Sequence, residues 1–171
     1  MAGKSLNKEK QINFMDQSDN KTNHFEPKIV AFCCNWCSYP AADSAGVSRL
    51  QYPTNIKIVR VMCGGRITPS FVLKAFELGA DGVLIATCHF EDCHYIFGAR
   101  NAAEVHKTTE KLAEMLGIEK ERLRLDWISA AEATKFAKVA KEFIEDIRKV
   151  GPSPIQKESL NKFTESRIDD K

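Results

Sequence analysis

Three short apolar runs, each followed at once by cysteine, constrain this chain more than any other feature. Ile29-Val-Ala-Phe32 runs into Cys33-Cys34-Asn35-Trp36-Cys37. Ile58-Val-Arg-Val-Met62 runs into Cys63-Gly64-Gly65-Arg66. Val83-Leu-Ile-Ala-Thr87 runs into Cys88-His89-Phe90-Glu91-Asp92-Cys93-His94-Tyr95. All six cysteines of the chain lie in these groups. Short apolar, partly β-branched runs bounded by turn residues read as buried strands. Soft, oxidisable ligands therefore stand at the ends of three strands.

The rest of the pattern supplies a fold. Strands are predicted over 28–32, 56–62 and 82–87, the last of them central because it is apolar without interruption. A fourth is predicted over 121–128, with Leu123, Leu125 and Trp127 on one face. Pro40 opens a helix to about residue 50, since proline suits a first turn. Thr68 and Pro69 start another, with Phe71, Val72, Ala75, Phe76 and Leu78 as its apolar face and Gly79 as its stop. A third covers 99–116, with Val105, Leu112, Met115 and Leu116 inward and Gly117 as the stop. The last starts at a capping box, Ser129-Ala-Ala-Glu132, and runs to about residue 150. Phe136, Ala140, Phe143 and Ile147 line its inner face, and Gly151-Pro152 ends it.

Strand and helix thus alternate four times, with connections long enough for right-handed parallel crossovers. The expected class is α/β: a four-stranded parallel sheet with helices on both faces, a flavodoxin-like or Rossmann-like three-layer sandwich. Ligands of such sheets collect outside the carboxyl ends of the strands. All three cysteine groups fall there, so they converge on one site. Residues 1–27 are polar and read as a flexible leader, 28–152 as the α/β domain, and 153–171 as a polar tail.

With 25 basic and 23 acidic residues the formal charge is +2, which gives no electrostatic case for nucleic acid or an anionic membrane. No apolar stretch approaches the roughly 18 residues that span a bilayer, and no secretory h-region opens the chain. A cytoplasmic protein is expected. In that compartment clustered cysteines bind metal or do redox chemistry rather than form structural disulfides.

Spacing leaves the chemistry open. Cys34-x2-Cys37 and Cys88-x4-Cys93 would serve a structural zinc, a zinc-stabilised interaction module. Four of the six thiolates would serve a 2Fe–2S cluster. Cys34-Asn-Trp-Cys37 alone would serve a dithiol oxidoreductase. Gly64 and Gly65 leave backbone N–H groups accessible to thiolate sulfur, Arg66, His89 and His94 bring donors close, and Trp36 and Tyr95 would shield the site from water. His24 and His106 read as leader and helix-surface residues. Dinucleotide, P-loop and nucleophile-elbow motifs are missing, and nothing pairs with Asp43, Glu91 or Asp92 as acid or base. A metal site without a substrate site points to an electron carrier rather than a complete enzyme.

Three motifs in order carry a resemblance. The run from Ile29 to Tyr39, Arg60-Val-Met-Cys-Gly-Gly-Arg66 and Cys88-His-x3-Cys93-His-Tyr95 resemble the delta subunit of methyl-viologen-reducing hydrogenase, over about residues 28–154. The resemblance implies a cytoplasmic oxidoreductase subunit carrying a 2Fe–2S cluster. It would relay electrons from a nickel–iron hydrogenase, or a formate dehydrogenase, to the flavin subunit of heterodisulfide reductase, which bifurcates electrons in methanogenesis. It implies four ligands among Cys33, Cys34, Cys37, Cys63, Cys88 and Cys93. The leading set is Cys37, Cys63, Cys88 and Cys93, with Cys33 or Cys34 as substitute. Two of the motifs depart from the resembled pattern: Gly64 stands where serine is usual, and Thr87, Phe90 and Glu91 stand where glycine, proline and glycine are usual. The Phe90-Glu91 loop is also bulkier and more acidic than the resembled one.

Overall fold

A computed structural model describes residues 25–155, so the leader and tail expected from the sequence fall largely outside the described residues. Four strands and four helices alternate along the chain: β1 (Ile29–Cys34), α1 (Ser38–Val47), β2 (Ile56–Val61), α2 (Pro69–Glu77), β3 (Gly82–Thr87), α3 (Gly98–Met115), β4 (Leu123–Trp127) and α4 (Ala133–Val150). Single 3-10 turns occupy Gly64–Arg66 and Lys120–Arg122. The strands form one parallel sheet in the order β2-β1-β3-β4. The α/β class, the parallel sheet and the two helix layers are those expected.

Burial follows from that order. β3 lies inside the sheet under helices on both faces, and every one of its residues is buried, as an uninterrupted apolar strand requires. α1 and α4 cover one face, where Ile29, Ala31, Leu84 and Ala86 meet Phe136, Phe143 and Ile147. α2 and α3 cover the other, where Phe32, Val83 and Ile85 meet Val72, Phe76 and Ile118. The expected inner face of α4 is buried at all four positions. The expected helix stops Gly79, Gly117 and Gly151 all have positive φ.

Several local readings are corrected. β1 continues two residues past Phe32, through Cys33 and Cys34. α1 begins at Ser38 rather than Pro40, because buried Ser38 Oγ accepts the Cys34 N–H at 2.8 Å and donates to Ala86 O at 2.6 Å, anchoring the first turn to the sheet. Thr68 holds the N-cap position of α2 without a side-chain cap bond, and Phe71 and Leu78 are exposed. On α3, Leu112, Met115 and Leu116 face outward. The buried positions are Gly98, Ala99, Ala102, Thr109 and Ala113, small residues that let the helix approach closely. The Ser129–Glu132 box is half formed: Glu132 Oε2 accepts the Ser129 N–H at 2.7 Å, while α4 starts one residue later with Glu132 as N-cap.

The edge of the sheet opposite the cysteines is tied by two buried polar side chains. Asp81 accepts the Lys28 and Ser153 N–H groups, each at 2.9 Å, so one carboxylate clips both ends of the described domain. Arg122 is fully buried. It donates to Glu119 Oε2 at 2.6 Å and to the carbonyls of Asp81, Gly151 and Pro152 at 3.1, 2.8 and 3.1 Å. Arg122→Met is expected to cost about 3 kcal/mol in denaturant unfolding, because several buried acceptors lose a shared donor. Arg122→Lys should restore little, since one ammonium cannot span that fork. Wild-type stability in either variant would refute this role.

Candidate metal centre

Five of the six cysteines converge at the carboxyl ends of β1, β2 and β3, where the fold collects ligands. The Sγ atoms of Cys34, Cys37 and Cys88 lie within 4.8 Å of one another, and all three residues are buried. Cys34 and Cys88 approach to 3.7 Å. Cys93 packs against this trio. Cys63 extends the group: it shares a side-chain hydrogen bond with Cys93 and feels the charge of Cys34.

Cys33 is not among them. Successive residues of a strand point to opposite faces. Because β1 continues to Cys34, Cys33 turns into the core beneath α1 and α4 while Cys34 faces the site. Burial pushes the Cys33 thiol up to about 12. It is a protonated core thiol without the exposure or charge environment of a reactive one.

Close backbone contacts make the site possible. Ile96, β-branched, exposed and at φ 64°, turns the chain sharply between Cys93 and α3. The turn brings the first residues of α3 against the thiols, and the Ala99 N–H donates to Cys93 Sγ at 3.3 Å. At Gly98 a Cβ would overlap Cys63 Sγ and lie 3.3 Å from Cys93 Sγ. Gly64 and Thr87, two of the positions that depart from the resembled motifs, are in contact: a Cβ on Gly64 would overlap Thr87 Oγ1.

The surroundings supply hydrogen-bond donors to sulfur, while burial lifts the Cys63 thiol. Backbone N–H groups of Trp36 and Gly64 point at the Cys34 sulfur, that of Gly65 at Cys63, and that of His94 at Cys88. The expected role of Gly64 and Gly65 as backbone donors is thus realised. α1 begins with Cys37 as its N-cap and α3 begins beside Cys93, so two helix N-termini add positive potential. Among the thiols, Cys34 is held far below the usual range because Cys37 and Cys88 hydrogen-bond to it. The same contacts lift Cys37 well above that range and Cys88 to about 11.

The polar residues named from the sequence are placed as follows. His94 stacks on Trp36, with ring centroids 3.8 Å apart, and both pack edge-on to Tyr95. Trp36 and Tyr95 are 43% and 47% exposed, so they flank the site rather than seal it. His89 turns away to pair with Glu132 at 2.8 Å. Arg66, Asp43, Glu91 and Asp92 are exposed. His106 sits on α3 with its ring 3.4 Å from Leu123 O. His24 lies outside the described residues. The sequence reading passed over Gly98 and Ile96, and gave Thr87 no role at the site. A glycine just before an alanine-rich helix start was the available signal.

Three buried and two half-buried thiols, each near another sulfur and four of them supplied with an N–H donor, fit a thiolate-held metal group. Proteins similar to this chain include ones named as iron-sulfur subunits. The family of the methyl-viologen-reducing hydrogenase delta subunit matches residues 29–151. The chain is 50% identical over 142 residues to the vhc iron-sulfur subunit of the F420-non-reducing hydrogenase of Methanococcus voltae, covering 83% of this chain and 98% of that one. It is 50% identical over 131 residues to the iron-sulfur subunit of the F420-non-reducing hydrogenase of Archaeoglobus profundus, covering 77% of this chain and 96% of that one. It is 47% identical over 126 residues to one polypeptide of the ferredoxin:CoB-CoM heterodisulfide reductase of Methanosarcina mazei, covering 74% of this chain but 16% of that much longer protein. A match through nearly the whole α/β domain, cysteine groups included, places this chain in the family of the methyl-viologen-reducing hydrogenase delta subunit.

Proposed function

We propose that the chain is a cytoplasmic electron-transfer subunit that holds a 2Fe–2S cluster between two redox partners. The observation that carries this reading is a close trio of thiols, Cys34, Cys37 and Cys88, beside a second pair, Cys63 and Cys93, with backbone N–H donors on all but Cys37. Cys34 with Cys88, and Cys63 with Cys93, form neighbouring pairs, and the sulfur of each residue receives a backbone N–H. A 2Fe–2S cluster takes two thiolates per iron, and N–H donors to sulfur tune its potential. When bound, the cluster takes up and passes on one electron at a time. Cys37 stands beside these four as a fifth thiol. In this assignment Cys34 takes the place that the leading set gave to Cys37.

The partners follow from what the relatives are named. Two are hydrogenase iron-sulfur subunits matched over nearly their whole length, and a third carries the same stretch inside a heterodisulfide reductase polypeptide. A domain found both alone and joined to that polypeptide serves it in both settings. The donor is a nickel–iron hydrogenase, or a formate dehydrogenase, and the acceptor is the flavin subunit of heterodisulfide reductase that bifurcates electrons in methanogenesis. Exposed Trp36, Phe90, Tyr95, Ile96 and Phe97 surround the thiols and offer an apolar rim on which such partners can seat. No helix among the described residues is long and apolar enough to cross a membrane.

The chain purified anaerobically should be brown, contain about two irons per molecule and show an EPR signal on reduction. Colourless protein with stoichiometric zinc would overturn the reading in favour of a structural module.

A further inference from the structure

Thr87 ends β3, one residue before Cys88. Its side chain falls on the sheet face of Val83 and Ile85. Cys33 is in register with Ala86, so Cys34 and Thr87 are the next neighbours across β1 and β3, on that same face. Thr87 is fully buried, and its Oγ1 has no hydrogen-bond partner among the described residues.

An unpaired buried hydroxyl is costly, and two of the four buried hydroxyl residues among the described residues find a partner. Thr109, equally buried, donates to Val105 O at 2.6 Å, and Ser38 donates to Ala86 O at 2.6 Å. Ser153 Oγ is also unpaired, but it lies at the opposite edge beside Asp81. The Thr87 hydroxyl is the one whose residue adjoins Cys88 and neighbours Cys34 across the strands. Gly64 makes room for it: a Cβ there would overlap Oγ1 and come within 2.8 Å of Thr87 Cβ. The Gly64 N–H meanwhile points at the Cys34 sulfur. A donor with no task is therefore packed against a backbone that already donates to the site.

We propose that Thr87 Oγ1–H is held for a sulfur of the bound cluster and sets its reduction potential in this chain. The inference rests on the cluster reading above. The reduced cluster carries one more negative charge than the oxidised one. A hydroxyl donating to sulfur favours the reduced form and raises the potential. Thr87 is a positioning and tuning residue rather than a ligand.

The test uses the full chain, loaded anaerobically, as wild type, Thr87→Val and Thr87→Ser. Valine keeps the shape and removes the donor, whereas serine keeps the donor. Iron content and visible spectrum should be the same in all three. The midpoint potential of Thr87→Val, read by redox-poised EPR, should move to more negative values, and Thr87→Ser should return it towards wild type. Without iron, Thr87→Val should melt at or above the wild-type temperature, because it removes an unpaired buried hydroxyl. An unchanged midpoint in loaded Thr87→Val overturns the inference while leaving the cluster intact. A lower melting temperature of the iron-free variant also overturns it, since the hydroxyl would already have a partner. A wild type that takes up no iron overturns the cluster reading itself, and this inference with it.

Discussion

Gly98→Ala should give a folded chain that no longer assembles its metal centre. The new methyl would overlap Cys63 Sγ, while the Gly98 backbone is fixed as the first residue of α3. Something must move, and the movable part is the cysteine side chain. Rotation relieves the overlap but takes Cys63 Sγ away from the Gly65 N–H and from Cys93. The fold itself should not suffer, because alanine is the better helix former by up to about 1 kcal/mol. The expected signature is an unchanged or slightly higher melting temperature for the iron-free chain, together with a fall in iron affinity of at least about 10-fold. Normal iron content in Gly98→Ala would show that Cys63 is not needed where the structure places it.

Cys34→Ala and Cys33→Ala, neighbours in sequence, should behave as opposites. Cys34 Sγ lies 3.7 Å from Cys88 Sγ and takes N–H donors from Trp36 and Gly64, so its loss should reduce bound iron to background. Cys33 is buried among Ala41, Ala45 and Phe136 on the far face of the sheet. Its loss should leave the visible spectrum unchanged and cost roughly 1 kcal/mol of stability through the small void it creates. Iron assay and thermal melting of both proteins settle the matter. Retained iron in Cys34→Ala, or lost iron in Cys33→Ala, would reverse the assignment of faces.

Much of the architecture was legible because it rests on local chemistry. Uninterrupted apolar runs mark strands buried on both sides, and the run at Gly82–Thr87 is such a strand inside the sheet. Glycines after Leu78, Leu116 and Val150 stop helices where positive φ is needed. The inward face of α4 follows from the spacing of Phe136, Ala140, Phe143 and Ile147. α3 shows where such reading fails. Periodicity gives most weight to large residues, yet the helix turns Ala99, Ala102 and Ala113 inward and leaves Leu112, Met115 and Leu116 outside. Its N-terminal turn presses against the Gly64–Arg66 turn, at a separation that only small side chains permit. Side-chain hydrophobicity says nothing of that separation.

From sequence alone, thiols gather at the carboxyl edge of a parallel sheet, because the three cysteine groups directly follow three strands. Only the tertiary structure decided which thiols share the site. Cys33 and Cys34 are chemically the same and adjacent, and a loop after Phe32 would have allowed either to turn inward. β1 instead runs on to Cys34, held by its parallel partners and by Ser38 Oγ on the Cys34 N–H. Strand alternation then sends the two sulfurs to opposite faces of the sheet. The length of a strand is fixed by what lies beside it, and no reading of its own residues contains that.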